Sequence, residues 1–197
     1  MRTGKTFIIC GPSGVGKGTV VARLLASDPT LYFSVSATTR DPRPGEIDGQ
    51  HYHFLTGEQF EQWIKEDAFL EHAEFVGNRY GTPKMYIDKA MAQGRDVILD
   101  IEIQGAAQVH KKRPDVVRIY VAPPSWEELA RRLIGRGTED MEKVKSRLAR
   151  GKEEFLVARD FDYFVINDTV DRAVEEISAI MCAEHCKPDE RIEMINR

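Results

Sequence analysis

Nine consecutive residues, Gly11-Pro12-Ser13-Gly14-Val15-Gly16-Lys17-Gly18-Thr19, carry the clearest chemistry in the chain. They follow a short β-branched run, Thr6 to Cys10, and precede a segment in which Val20, Val21, Leu24 and Leu25 share one helical face. A strand, a glycine-rich turn and a helix N-terminus in that order make a phosphate cradle. The glycines let successive N–H groups turn inward, the helix end adds partial positive charge, and Lys17 brings a full charge to the terminal phosphates. A glycine-rich turn without a ligand is the plain alternative, and the strand-before, helix-after context weighs against it. The usual motif places a hydroxyl directly after the lysine as a Mg2+ ligand. Here Gly18 stands in that place, and Thr19 lies one position later, about 100° further round the helix. The expectation is Mg2+ held by phosphates and water, with Thr19 or Asp100 as candidate protein contacts.

A second anion site is written in residues 34 to 54, SVSATTRDPRPGEIDGQHYHF. Arg40 and Arg43 are separated by Asp41-Pro42, and the proline opposes a regular helix and stiffens the link. Two guanidinium forks held this way match phosphate geometry as lysine does not. Tyr52 can add a hydroxyl. A phosphate loop together with a separate arginine clamp implies two phosphorylated ligands.

The elements that must position these groups follow a strand–helix rhythm. Strands are predicted at 6–10, 32–36, 96–100, 116–121 and 163–167, with helices after 19 and over 83–93, 105–112, 125–133, 141–158 and 170–183. That alternation predicts an α/β fold with a mostly parallel sheet covered on both faces. Residues 37–82 differ in character, being rich in Arg, Gly, Pro, His and aromatics, and read as an inserted subdomain. Within it Thr56-Gly-Glu-Gln59 predicts a capping box, Phe69 to Phe75 an alternating strand and Gly77-Asn78 a turn. Ser125 and Glu128 predict a second capping box, and Gly135-Arg136-Gly137-Thr138 breaks the helix that follows it.

Length and charge narrow the class. The chain has 197 residues, enough for one buried core without disulfide staples, and a net charge of −4, which argues against a general nucleic-acid binder. No apolar run reaches the roughly 20 residues of a membrane helix, and the N-terminus lacks a signal-peptide pattern. Cys10, Cys182 and Cys186 fit no disulfide framework, so a cytoplasmic setting is expected. Nothing in the sequence selects between a monomer and a homo-oligomer.

From about Thr6 to Met181 the sequence closely resembles guanylate kinases. The motifs are GPSGVGKG, SVSATTRDPRPGEIDGQHYHF, FLEHAEFVGNRYGTP, ILDIEIQGA, APPSWEEL, RLIGRGTE and VIND. The resemblance implies a P-loop kinase core over 1–36 and 83–197, a GMP-binding subdomain over 37–82 and a small lid over about 134–145. It implies transfer of a phosphoryl group from ATP to GMP, with dGMP expected as a further acceptor. Arg40, Arg43, Tyr52 and Tyr80 would hold the GMP phosphate, with Glu46 supporting the clamp. Ser36, Glu71 and Thr82 would contact guanine, with Asp100 and Glu102 nearby. Arg132, Arg136 and Arg147 match arginines that approach the transferring group, and Asn167 a position near adenine.

The chemistry agrees with these roles. Guanine presents two N–H donors on one edge, which a carboxylate such as Glu71 accepts together. Adenine has an acceptor there, and an unpaired buried carboxylate costs on the order of 2–4 kcal/mol. Phosphoryl transfer itself asks for alignment, charge neutralisation and exclusion of water. Two other readings stand beside this one. A kinase for another monophosphate such as AMP is suggested by the Gly-Lys-Gly-Thr ending and opposed by Glu71. A scaffold domain without catalysis is opposed by Lys17 and the arginines. Simpler readings apply elsewhere: packing for His51, His53, Trp63 and Trp126, buried or partly exposed thiols for Cys182 and Cys186, and a frayed or extended tail from Lys187.

Overall fold

Five strands of almost uniformly apolar, β-branched sequence line up in parallel at the centre of the computed structural model, which describes residues 3–135 and 141–195. In chain order the elements are β1 (Thr6–Cys10), α1 (Lys17–Ser27), β2 (Tyr32–Phe33), β3 (Ala37–Thr38), β4 (His53–Phe54), α2 (Gly57–Lys65), β5 (Phe69–Phe75) and β6 (Asn78–Pro83). There follow α3 (Lys84–Ala92), β7 (Val97–Asp100), α4 (Ile103–Lys112), β8 (Val117–Ala122), α5 (Trp126–Gly135), α6 (Met141–Phe155), β9 (Tyr163–Ile166), α7 (Val170–Glu184) and α8 (Pro188–Ile195).

The main sheet has the order β2-β7-β1-β8-β9, every pair parallel. Parallel pairing forces each connection to cross over a face, and the helices do so. One face packs Phe7, Ile9 and Val121 against Val20 and Leu24 of α1 and Ile177 of α7. The other packs Ile8, Cys10 and Leu99 against Ile87 of α3 and Val109 of α4. Each such fully buried aliphatic side chain contributes about 1.5–3 kcal/mol. The register sets Ile9 beside Asp100 and Cys10 beside Tyr120, so the loops after β1 and β7 emerge side by side. That is where an open parallel sheet collects its ligands.

A second sheet, β4-β3-β6-β5, forms from residues 37–83 and is covered by α2 through Ala37, Phe60 and Phe69, with Leu55, Trp63 and Ile64 at the margin. The capping box at α2 is present in both directions, Thr56 accepting from the Gln59 N–H and Gln59 from the Thr56 N–H. The β5–β6 turn places Val76 at φ 50° and Gly77 at φ 73°, the left-handed pair that suits a tight hairpin.

Several expectations change. β2 ends at Phe33 rather than Ser36, because the chain leaves the main sheet to reach β3 of the second. The alternation read in 69–75 is not a burial alternation: Phe69, Leu70 and Glu71 are all buried and 72–75 exposed, because β5 starts against α4 and ends in solvent, with a register shift between Phe69 and His72. The Ser125 capping box is half made. Ser125 Oγ accepts from the Glu128 N–H at 3.1 Å, but the Glu128 carboxylate turns to two arginines. The tail from Lys187 contains α8 rather than an extended end, and Cys182 and Cys186 are both exposed.

Candidate active site

The glycine-rich loop is built by close approach. Gly16 is the left-handed N-cap of α1 at φ 96°, and a Cβ there would lie 2.7 Å from Asn167 Nδ2. Only glycine meets both conditions. The contact exists because Asn167, at the end of β9, is buried and donates from Nδ2 to the Val15 carbonyl at 2.8 Å. Arg132 of α5 reinforces the same point, donating to the Val15 carbonyl and to the Asn167 carbonyl at 3.0 Å each, while its Nε donates to Glu128 at 2.8 Å. Arg131 and then Arg132 hold the Glu128 carboxyl down at about 2. The family resemblance sets Asn167 by adenine and Arg132 by the transferring phosphoryl; in the structure both side chains donate to the Val15 carbonyl of the loop. Glu128 was read as a cap, and its partnership with Arg132 was legible in the i,i+4 spacing.

Lys17 opens α1 and its Nζ donates to Asp100 Oδ1 at 2.5 Å across the β1–β7 seam. Gly18 and Thr19 are exposed on the first turn of α1. Ser13, exposed at the loop tip, accepts from Arg147 Nη1 of α6 at 2.6 Å. Beneath the loop the Cys10 thiol donates to the Ile101 carbonyl at 3.1 Å, and burial pushes it up to about 12, so it packs and does not react. Arg136 lies outside the described residues, as does part of the segment read as a lid.

The arginine clamp is organised by Glu46. Arg40 Nη2 donates to both Glu46 oxygens at 2.8 and 2.9 Å, and the Arg43 N–H donates to Glu46 Oε2 at 2.7 Å. These bonds pull the Glu46 carboxyl below the ordinary range, Arg40 being the larger cause, and raise Arg40 in turn. The Arg40 guanidinium lies 5.4 Å from the centre of the Tyr52 ring, and Tyr52 lies 6.0 Å from Tyr80. Arg40, Glu46, Tyr52 and Tyr80 thus form one cluster. Arg43 joins it through its backbone, with an exposed side chain.

Glu71 on β5 is buried and accepts from Thr82 Oγ1 of β6 at 2.6 Å. Burial raises its carboxyl above the ordinary glutamate range, partly offset by the Thr82 hydroxyl. Its other oxygen lies against Gly105 of α4, where a Cβ would stand 3.1 Å away. That contact was not read from the sequence, although a glycine inside a helical pattern signals close approach. Ser36 is half-buried and its carbonyl accepts from the His53 N–H, which ties β4 to β3. Glu102 is the N-cap of α4, and its carboxylate accepts from Arg150 Nη2 at 2.6 Å rather than entering the Glu71–Thr82 pair.

The residues beside the loop suit a hard cation. Asp100 is the carboxylate beside the loop lysine and Thr19 a hydroxyl on the first turn of α1, oxygen donors of the kind a hard cation takes.

The fold and the glycine-rich loop define a P-loop phosphotransferase of the α/β class. The guanylate kinase family profile matches residues 3–184. The chain is 48% identical over 190 residues to a guanylate kinase of Lactococcus lactis subsp. lactis, covering 96% of this chain and 93% of that one. It is 50% identical over 186 residues to one from Clostridium perfringens, covering 94% and 86%. A crystal structure of guanylate kinase from Anaplasma phagocytophilum superposes with a TM-score of 0.74 at 30% identity, covering 95% of this chain and 89% of that one. The chain belongs to the guanylate kinase family, the enzymes that use ATP to phosphorylate GMP to GDP.

Proposed function

We propose that the glycine-rich loop holds ATP, that the Arg40 cluster holds the GMP phosphate, and that Glu71 with Thr82 reads guanine. The observation that carries this division is the Glu71 carboxylate, buried and taking one hydroxyl donor, at 2.6 Å, among the described residues, which leaves acceptor capacity for a ligand. Guanine supplies two, and adenine does not. Residues 37–82 act as the GMP-binding subdomain and about 134–145 as the lid that excludes water.

Arg40, pre-set by Glu46 and Tyr52, takes the acceptor phosphate without having to find its rotamer on binding. Lys17 leaves Asp100 for the donor phosphates, and Arg147, at the loop tip, neutralises charge as it spreads over the transferring group. Arg136 joins it by resemblance, Arg132 and Asn167 keep the loop in shape, and no general base is needed because the attacking phosphate is already anionic. Mg2+ would be held by the triphosphate and water, with Asp100 ordering one such water and Thr19 as a second candidate contact. When bound it offsets negative charge on the phosphate oxygens. The three free thiols accord with a reducing, cytoplasmic setting.

The test is diphosphate formation from ATP with each monophosphate in turn. GMP, and dGMP as a further acceptor, should be consumed. Turnover of AMP equal to that of GMP would remove Glu71 from the guanine site.

A further inference from the structure

We propose that Arg150 is a positioning residue that couples the donor loop to the guanine-reading carboxylate through its ion pair with Glu102. This rests on the assignment of the loop to ATP and of Glu71 to guanine. α6 meets both sites within little more than one turn. Arg147 donates to Ser13 at the loop tip at 2.6 Å, and Gly151 lies so close to the loop that a Cβ would stand 3.1 Å from Pro12 Cβ. Between them Arg150 donates from Nη2 to Glu102 Oε2 at 2.6 Å, and from Nε to Glu154 Oε1 at 2.8 Å, which fixes the direction of the fork.

Glu102 starts α4: its carbonyl accepts the Ala106 N–H at 2.9 Å, and its side chain makes no cap bond of its own. One turn along α4, Gly105 lies against the second oxygen of Glu71. A shift of α6 as the donor loop fills therefore reaches Glu71 by a short route: Arg150, Glu102, the first turn of α4, Gly105. The Arg150 and Glu102 side chains are 53% and 68% exposed, so the pair adds little to stability. Its effect is to give one position of α6 the same direction of pull on α4, which is a coupling between two binding events and is reciprocal.

GMP binding, measured by calorimetry with and without a saturating non-hydrolysable ATP analogue and Mg2+, tests this in the native protein, Arg150→Met and Arg150→Lys. The analogue should tighten GMP binding by a factor that falls at least about 3-fold in Arg150→Met and is largely regained in Arg150→Lys, whereas GMP affinity without the analogue should move by less than about 2-fold. Raising salt should reduce the factor in the native protein towards the Arg150→Met value, which keeps the test alive if the methionine variant folds poorly. A full factor in a folded Arg150→Met protein, a native factor of one, or an equal loss of GMP affinity with and without the analogue would each overturn the proposal. Native protein that does not bind GMP at all would overturn the guanine assignment and this inference with it.

Discussion

Lys17 Nζ donates to Asp100 Oδ1 at 2.5 Å, joining the first residue of the donor-loop helix to the last residue of β7. The two meet because β1 and β7 are neighbours in register, so the residues that leave each strand share one end of the sheet. On the proposed assignment, a triphosphate entering the loop would compete with Asp100 for this ammonium. Asp100→Asn weakens the competition and removes a carboxylate able to order a metal-bound water. The expected outcome is ATP affinity equal to or tighter than native, with kcat lowered about 10-fold or more. Calorimetry with Mg-ATP and steady-state kinetics separate the two effects. Thr19→Val should cost much less than Lys17→Met, and EDTA should abolish turnover in all of them.

With Glu71 reading guanine as proposed, recognition should be pH-dependent. Burial raises its folded-state pKa, so as pH falls through that raised value the carboxylate gains a proton and loses an acceptor for guanine. KM for GMP should rise on acidification at a higher pH than an ordinary glutamate would give. The stability linkage runs the other way. The folded state binds the proton more readily than the unfolded chain, so this group's contribution favours the folded state as pH falls from the raised value towards the ordinary one. Glu71→Gln should raise KM for GMP by about 10- to 100-fold, the equivalent of about 1.4–2.7 kcal/mol, and flatten that acidic limb. An unchanged pH profile in Glu71→Gln would remove Glu71 as its source.

Glu46 tests whether the clamp is pre-set or self-inhibited. Its carboxylate holds Arg40 through two bonds and the Arg43 backbone through a third. If it pre-organises the fork, Glu46→Gln should raise KM for GMP by about 3- to 10-fold, with Arg40→Ala costing more. A KM that falls in Glu46→Gln would mean that Glu46 competes with the phosphate for Arg40.

Arg147 and Ser13 share a hydrogen bond of 2.6 Å, but the proposed chemistry belongs to the arginine. Arg147→Ala should lower kcat about 100-fold or more, at least about 2.7 kcal/mol of transition-state stabilisation. Ser13→Ala should cost less than about 3-fold, because a hydroxyl partner is replaceable by water. Similar losses in both variants would make the pair structural. Arg136→Ala is expected to behave like Arg147→Ala.

Gly16→Ala should damage the loop through two separable effects. Alanine pays for the left-handed φ of 96° and pushes Asn167 off the Val15 carbonyl. The two effects together amount to about 2–4 kcal/mol. Denaturant unfolding should show that loss, and Asn167→Ala should reproduce part of it by removing the bond without the strain.

The sequence determined this protein wherever one local segment contains the whole physical cause. A β-branched run, three glycines and a lysine at a helix start specify a strand, a turn and an anion site within residues 6–19, and Thr56 with Gln59 specify a helix end within four residues. The neighbourhood of Arg40, Arg43 and Glu46 was legible too, since they lie within seven residues, but the two-fork clamp was not: the Glu46 carboxylate takes the Arg40 guanidinium and only the backbone N–H of Arg43. The motifs were distinctive enough to mark the family. What only the tertiary structure decided are partnerships across long stretches of chain. Arg132 and Asn167 turn to the loop backbone because α5 and β9 pack beside it, 117 and 152 residues away in sequence. Gly105 is small because β5 lays Glu71 across α4, and Arg150 meets Glu102 across 48 residues of chain. Spacing along a chain fixes which side chains share a face. Which faces meet depends on how helices stack on the sheet, and that is settled by packing summed over the whole core.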